Sequence, residues 1–354
     1  MQRTALAPAL VAALFLSSPL AGADPALVNL SRPDVNFVMG VEVSRIASSP
    51  LLAAAMEEAQ QTKPGLDTFF GLLAPHPLRY LNEIVIAAKL DPGSDSKRPE
   101  NLLIMARGAF ADSGFSDIVC SQGCAADEYR EFQVLRLTPK PGEDPMHFAF
   151  LDSQYAVMGS PREVQGAIDR RVTETNSVFS DAIQEGIARL GGHDIWLVAK
   201  GVFQDAGSTN GNGPGMMAEQ VASKMDGVGL GITLGKDVRF ALELRSHTPE
   251  QAKQVFDMAN GLLALMKAGE GSPESKQMIE RLSLRHEGHL LAVSMRIPEA
   301  EVRAQLREKA AKHREQLAAD GSVSAPPATR PRREGGIRIY GLKDEPVEVP
   351  AHKN

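Results

Sequence analysis

Aromatic residues are scarce in this chain: they make up 5% of its 354 residues, and Trp196 is the single tryptophan. So few flat rings weigh against a carbohydrate-binding module, which stacks aromatic side chains on sugar faces. Positive charge is also short. The 38 Lys and Arg are outnumbered by 44 Asp and Glu, for a net charge of −6, so the basic footprint of a nucleic-acid-binding protein is missing. There are two cysteines, Cys120 and Cys124. Their C-x3-C spacing is not the C-x-x-C of thioredoxin-like redox sites. Beyond the N-terminal segment no apolar run approaches the ~20 residues needed to cross a bilayer.

The N-terminal segment is the clearest signal present. Arg3 supplies a positive charge, and Ala5 to Leu20 is uncharged and apolar. Ala21-Gly22-Ala23 then offers the small residues a signal peptidase requires. Residues 1–23 therefore read as a secretory signal peptide. Pro8 and Pro19 interrupt the run, and no cysteine follows it for lipid attachment. Export places the cysteines where disulfides persist. The expectation is a clasp between Cys120 and Cys124, closing a short helix end, with two free thiols or half a metal site as the alternatives.

Hydrophobic periodicity lays out strands and helices in an order that occurs twice. The first half opens on the strand Phe37 to Val43 and a helix capped by Ser49 with Pro50 at its first position. Strands follow at Glu83 to Leu90, Leu102 to Phe110 and Glu131 to Thr138, then a hairpin from His147 to Gly159. Ser160-Pro161-Arg162-Glu163 reads as a capping box. In the second half, Ile195 to Val202, Val228 to Leu234 and Val238 to Leu244 are strands. Thr248-Pro249-Glu250-Gln251 caps a helix whose Val255, Ala259, Leu262 and Met266 are spaced to face a sheet. A hairpin from Leu282 to Ile297 and a charged helix from Glu301 to Leu317 complete it.

Short links between successive strands make them antiparallel. The expected class is α+β, in two similar halves, each a mainly antiparallel sheet with helices on one face. The boundaries are 24–175, then 176–318 with the charged helix, then a linker and strand-like tail over 319–354.

Chemistry-bearing motifs are weak. His286-Glu287-Gly288-His289 holds two imidazoles at a hairpin tip, the start of a zinc site only if a third ligand converges; otherwise it is an exposed polar turn. Gly207 to Gly215 lacks the Lys-Ser/Thr ending of a phosphate loop. Ser94 to Lys97 fits S-x-x-K, but in a loop bounded by Pro92 and Pro99. His193-Asp194 precedes Trp196 as a polar pair at the start of a strand. Methionines crowd the second half, either as core or as the lining of an apolar groove.

The tail carries Ile337, Ile339, Tyr340 and Leu342 on a Pro/Ser/Ala tether. It can add to the sheet edge of a partner, dock on its own sheet, or stay disordered. Signal peptide, doubled α+β body, charged helix and hydrophobic tail together resemble uncharacterised exported bacterial proteins. That resemblance is architectural. It implies an envelope or secreted location and transfers no site residues. The expected function is an exported, non-enzymatic binding or interaction protein of the bacterial envelope, periplasmic or secreted. Its expected partner is another envelope protein, reached through the tail. No cofactor, catalytic residue or nucleic acid is expected, and no membrane span in the mature chain. The alternatives are a carrier of a hydrophobic small molecule, or a metal-assisted hydrolase using His286 and His289.

Overall fold

The computed structural model describes residues 22–53, 80–91, 101–111, 114–120, 123–137, 145–201, 221–269, 273–319, 338–339 and 347–348. The first compact unit, Met1–Leu306, holds one antiparallel sheet of 12 strands. In chain order these are β1 Phe37–Val41, β2 Leu81–Ala88, β3 Leu102–Gly108, β4 Cys124–Tyr129, β5 Phe132–Leu137, β6 Met146–Phe150 and β7 Tyr155–Gly159. They continue with β8 Ile195–Lys200, β9 Met225–Thr233, β10 Asp237–Ser246, β11 Leu282–Glu287 and β12 Leu290–Pro298. Their spatial order is β11-β12-β10-β9-β8-β1-β2-β3-β7-β6-β5-β4. Where sequence reading expects a sheet in each half, β1 pairs with β8 and fuses them: Val38 lies opposite Val198, and Gly40 opposite Trp196.

Helices cover both faces of this sheet, which corrects the expectation of one. Alternation along the strands explains why. On one face, Val38, Val85, Leu103, Met105, Val157, Trp196 and Val198 form a continuous buried core. It is roofed by α1 (Pro25–Val28), α4 (Pro161–Thr173) and α5 (Asp181–Leu190). On the other face, Ile84, Ala106, Ala156 and Met158 meet Val43 of α2 (Val43–Ala47) and Phe115 and Val119 of α3 (Phe115–Val119). Strands in the middle of the sheet are thus apolar on both sides, which the short linking segments alone do not reveal.

The Cys120–Cys124 disulfide is formed. It joins the end of α3 to the start of β4, beside a cluster of Phe110, Phe115, Phe148 and Phe150. Strand β4 was not expected from sequence. Its burial is poor, and it pairs with β5 alone at the sheet edge through a two-residue turn, Arg130-Glu131, with φ of 50° and 68°. Helix α5 was also not anticipated, although Ala182, Ile183, Gly186 and Leu190 are buried at helical spacing.

Helix α6 (Pro249–Ala268) starts as the sequence predicts: the Thr248 hydroxyl accepts from the Gln251 amide, and the Gln251 side chain returns the bond. Ala252 and Val255 bury against the sheet with Met225 and Leu291. The later turns depart from expectation, since Leu262 and Met266 are 49% and 48% exposed. The Ser160 box is not made either. Ser160 caps α4 without a side-chain bond, and the buried Glu163 turns instead to Arg32, 3.1 Å away. A short helix, α7 (Pro273–Glu280), precedes β11, and α8 (Glu299–Ala319) follows β12. No helix among the described residues is long and apolar enough to cross a membrane.

The second compact unit, Arg307–Asn354, contains a two-stranded pairing of β13 (Arg338–Ile339) with β14 (Val347–Glu348). Ile339 thus pairs with Val347 of the same tail. Ile337, Tyr340 and Leu342 lie outside the described residues, as do most of the signal segment, the Ser94–Lys97 motif and the glycine loop.

Candidate anion-binding groove

The sheet face roofed by α1, α4 and α5 changes character over β10, β12 and β11. Register brings Arg239 of β10 directly opposite Arg296 of β12. Arg281 precedes Leu282, whose partner is Met295, so it stands at the end of the same cross-strand row. Two residues along, the next row on this face is Ser283, Ser294, Ala241 and Gly231. The third row carries Arg285, Ala292 and Glu243. A floor of small side chains therefore runs across the strands, with guanidinium groups on both sides. Arg189 and His193, at the end of α5 and just beyond it, close the groove, whose volume is about 570 Å³.

Carboxylates answer some of these charges. Arg189 pairs with Glu243 at 2.9 Å, Arg281 with Glu301 at 2.8 Å, and Arg296 reaches Asp237 at 3.9 Å. Among the described residues, Arg239 and Arg285 have no carboxylate within ion-pairing distance, and both are exposed. Like charges directly opposite on neighbouring strands are destabilising. The Arg239–Arg296 pairing is thus a local cost that folding alone does not explain.

His193 sits at the groove wall. Its Nδ1 lies 2.8 Å from the Thr233 hydroxyl, and its ring fills the space that a side chain on Gly231 would need. Burial depresses its pKa below the ordinary histidine value, and the Arg239 charge adds to this. Arg45 acts in the same sense, while Asp194 and Glu243 oppose it. Asp194 is 3% exposed and is held by Arg45 Nε at 2.9 Å and the Leu234 amide at 2.6 Å. The His193-Asp194 pair thus anchors the strand start and also fixes one wall of the groove.

The histidines singled out by sequence are not brought to a common centre. His286 points from β11 toward Phe256, with ring centroids 5.8 Å apart. His289 is in the turn, its Nδ1 3.2 Å from the Ser246 carbonyl. Among the described residues no three His, Cys, Asp or Glu side chains are grouped to hold a metal ion. The groove arginines were missed because they are spread over 239–296 and each looks like an ordinary surface charge. The available signal was parity: Arg281, Ser283 and Arg285 alternate with Leu282 and Leu284. No family model, curated protein or solved structure matches the chain.

Proposed function

We propose that this chain is an exported binding protein of the bacterial envelope that holds an extended acidic segment of a partner protein in the arginine groove. The row Arg281–Arg296–Arg239 on adjacent strands carries this reading. It concentrates positive charge in a protein that is acidic overall, and an anionic ligand would relieve its repulsion. Guanidinium forks match carboxylates in bidentate geometry. Their placement on both walls of an elongated floor suits carboxylates distributed along a chain better than one compact phosphate. Four strands at ~4.8 Å spacing give a floor of about 14 Å, roughly four extended residues. Export is supported by the N-terminal segment and by the disulfide, a bond that persists in oxidising compartments.

The same reading takes the body as a duplication. From the β1–β8 junction the strand order outward is β1-β2-β3-β7-β6 on one side and β8-β9-β10-β12-β11 on the other. A hairpin, a crossover and a second hairpin recur in the same sequence, with β4 and β5 as an added edge. In the first half α4 covers the face that, in the second half, the arginines occupy.

Fluorescence anisotropy with a labelled hexaglutamate peptide tests the proposal. Binding is expected at low ionic strength, weakening with salt as the Debye length shrinks to about 10 Å at 0.1 M. Arg239→Gln combined with Arg285→Gln should weaken it by roughly tenfold or more, on the scale of two lost charge-assisted bonds. Arg239→Gln alone should leave the melting temperature unchanged or slightly raised, because it removes a like-charge pair. The sign of the pH dependence follows from His193. An anion between it and Arg239 favours the imidazolium, so affinity should rise as pH falls toward the depressed pKa of His193, below the ordinary imidazole range. Equal binding by the double variant, or binding only to inorganic phosphate or anionic vesicles, would reject the acidic-segment reading.

A further inference from the structure

We infer that cleavage after Ala23 turns Asp24 into a new N-terminus whose ammonium group is received by the buried carboxylate of Glu83, an inference that rests on the export reading. The Asp24 backbone nitrogen lies 3.2 Å from Glu83 Oε1. Glu83 is 1% exposed, and among the described residues its one cationic side-chain partner is Arg107, at 3.2 Å. The rest of Asp24 is fixed as well. Its carboxylate accepts from the Ala26 amide at 2.9 Å and from the Tyr155 hydroxyl at 3.0 Å, and pairs with Arg107 Nε at 3.0 Å.

Four groups, one each from α1, β2, β3 and β7, therefore converge on the residue that follows the small-residue motif Ala21-Gly22-Ala23. A surface leader junction has no need of such a receptor. Hydrolysis of the Ala23–Asp24 amide consumes one water and leaves a carboxylate on Ala23 and an ammonium on Asp24. A neutral donor beside Glu83 becomes a cation with three N–H groups. That cation offsets the burial and the Glu42 repulsion that hold the Glu83 pKa above the ordinary carboxylate value. A buried carboxylate with a single partly exposed arginine is under-compensated, and a second cation is what it lacks. Gly22 lines the arginine groove, so cleavage also clears that end of it.

Two full-length bodies, one beginning at Asp24 and one at Gly22, are prepared by removing a cleavable tag and compared at pH 6.5. The Asp24 form should melt higher by about 1–2 °C, the scale of one kilocalorie in a body of about 330 residues. The amine's folded pKa is raised, so the advantage is present below its unfolded value of about 7.7–8 and is lost as pH rises through the folded value. Glu83→Gln should abolish the difference. If that variant does not fold, the titration of the isotope-labelled α-amine in the native Asp24 chain decides. An upward displacement that disappears in urea supports the pairing; an ordinary value overturns it, as do equal melting temperatures. Intact mass of the protein recovered from an exporting host should show a start at Asp24, and any other processed start overturns the cleavage site. A chain that keeps its leader and stays in the cytoplasm overturns export itself, while the tag-released pair still judges the Glu83 receptor.

Discussion

Replacing Gly40 by alanine should destabilise the protein by about 2–3 kcal/mol, near the upper end for overpacking a core. A methyl group there would overlap Cε2, Nε1 and Cζ2 of Trp196. The indole cannot give way. It is 1% exposed, lies on β8 directly across from Gly40, and is enclosed by the core shared with α1, α4 and α5. A flexible side-chain end could rotate aside, but a rigid, close-packed ring can yield only by shifting its neighbours. Trp196→Ala should cost about 3–5 kcal/mol through the cavity it leaves. The two effects are one interaction, so the double variant should fall well short of their sum, with a coupling of about 1–3 kcal/mol. Urea denaturation of the four proteins measures this, and strictly additive losses would contradict it.

Asp194→Ala should be nearly as damaging, at about 3 kcal/mol, because it strands the Leu234 amide and the Arg45 guanidinium together. Arg45 is 39% exposed and the Leu234 amide is partly buried, so both recover some solvation and the loss stays at the low end of the range for a broken buried pair. Asp194→Asn retains an oxygen for Leu234 and should cost about 1 kcal/mol, the value of one hydrogen bond. Hydrogen exchange separates the two: Leu234 protection should collapse in the alanine variant and persist in the asparagine one. Asp194 also positions His193, so the alanine variant should loosen the groove wall and weaken hexaglutamate binding. Unchanged exchange at Leu234 in Asp194→Ala would show that the strand start is held by other bonds.

Much of the architecture was legible in local pattern. Antiparallel pairing follows from short hairpins such as Met146–Phe150 with Tyr155–Gly159. The Thr248 cap, the Ser49 hydroxyl 3.2 Å from the Leu51 amide, and the Cys120–Cys124 clasp all involve partners a few residues apart. At such short separation the chain itself brings the groups together, and residue type and spacing suffice.

Other features depend on partners brought together from far apart in the chain. The Ser160 motif looked like a capping box until Arg32, 131 residues away, captured Glu163. Val255 buries, but Leu262 and Met266 on the same helical stripe do not, because burial depends on what the fold places beneath each turn and not on the stripe itself. Whether two halves would form two sheets or one was decided by β1 meeting β8, a pairing of strands more than 150 residues apart.

The sequence by itself determined most strand and helix types, the Thr248 helix cap, the disulfide and the acidic overall charge, each a consequence of local stereochemistry or composition. Tertiary structure alone decided which charges became neighbours. Arg239, Arg281, Arg285 and Arg296 form a groove because register between β10, β12 and β11 places them on one face in adjacent rows. Asp24 meets Glu83 because α1 packs where β2 crosses the core. Electrostatic interaction depends on distance through space, and only the fold supplies that distance.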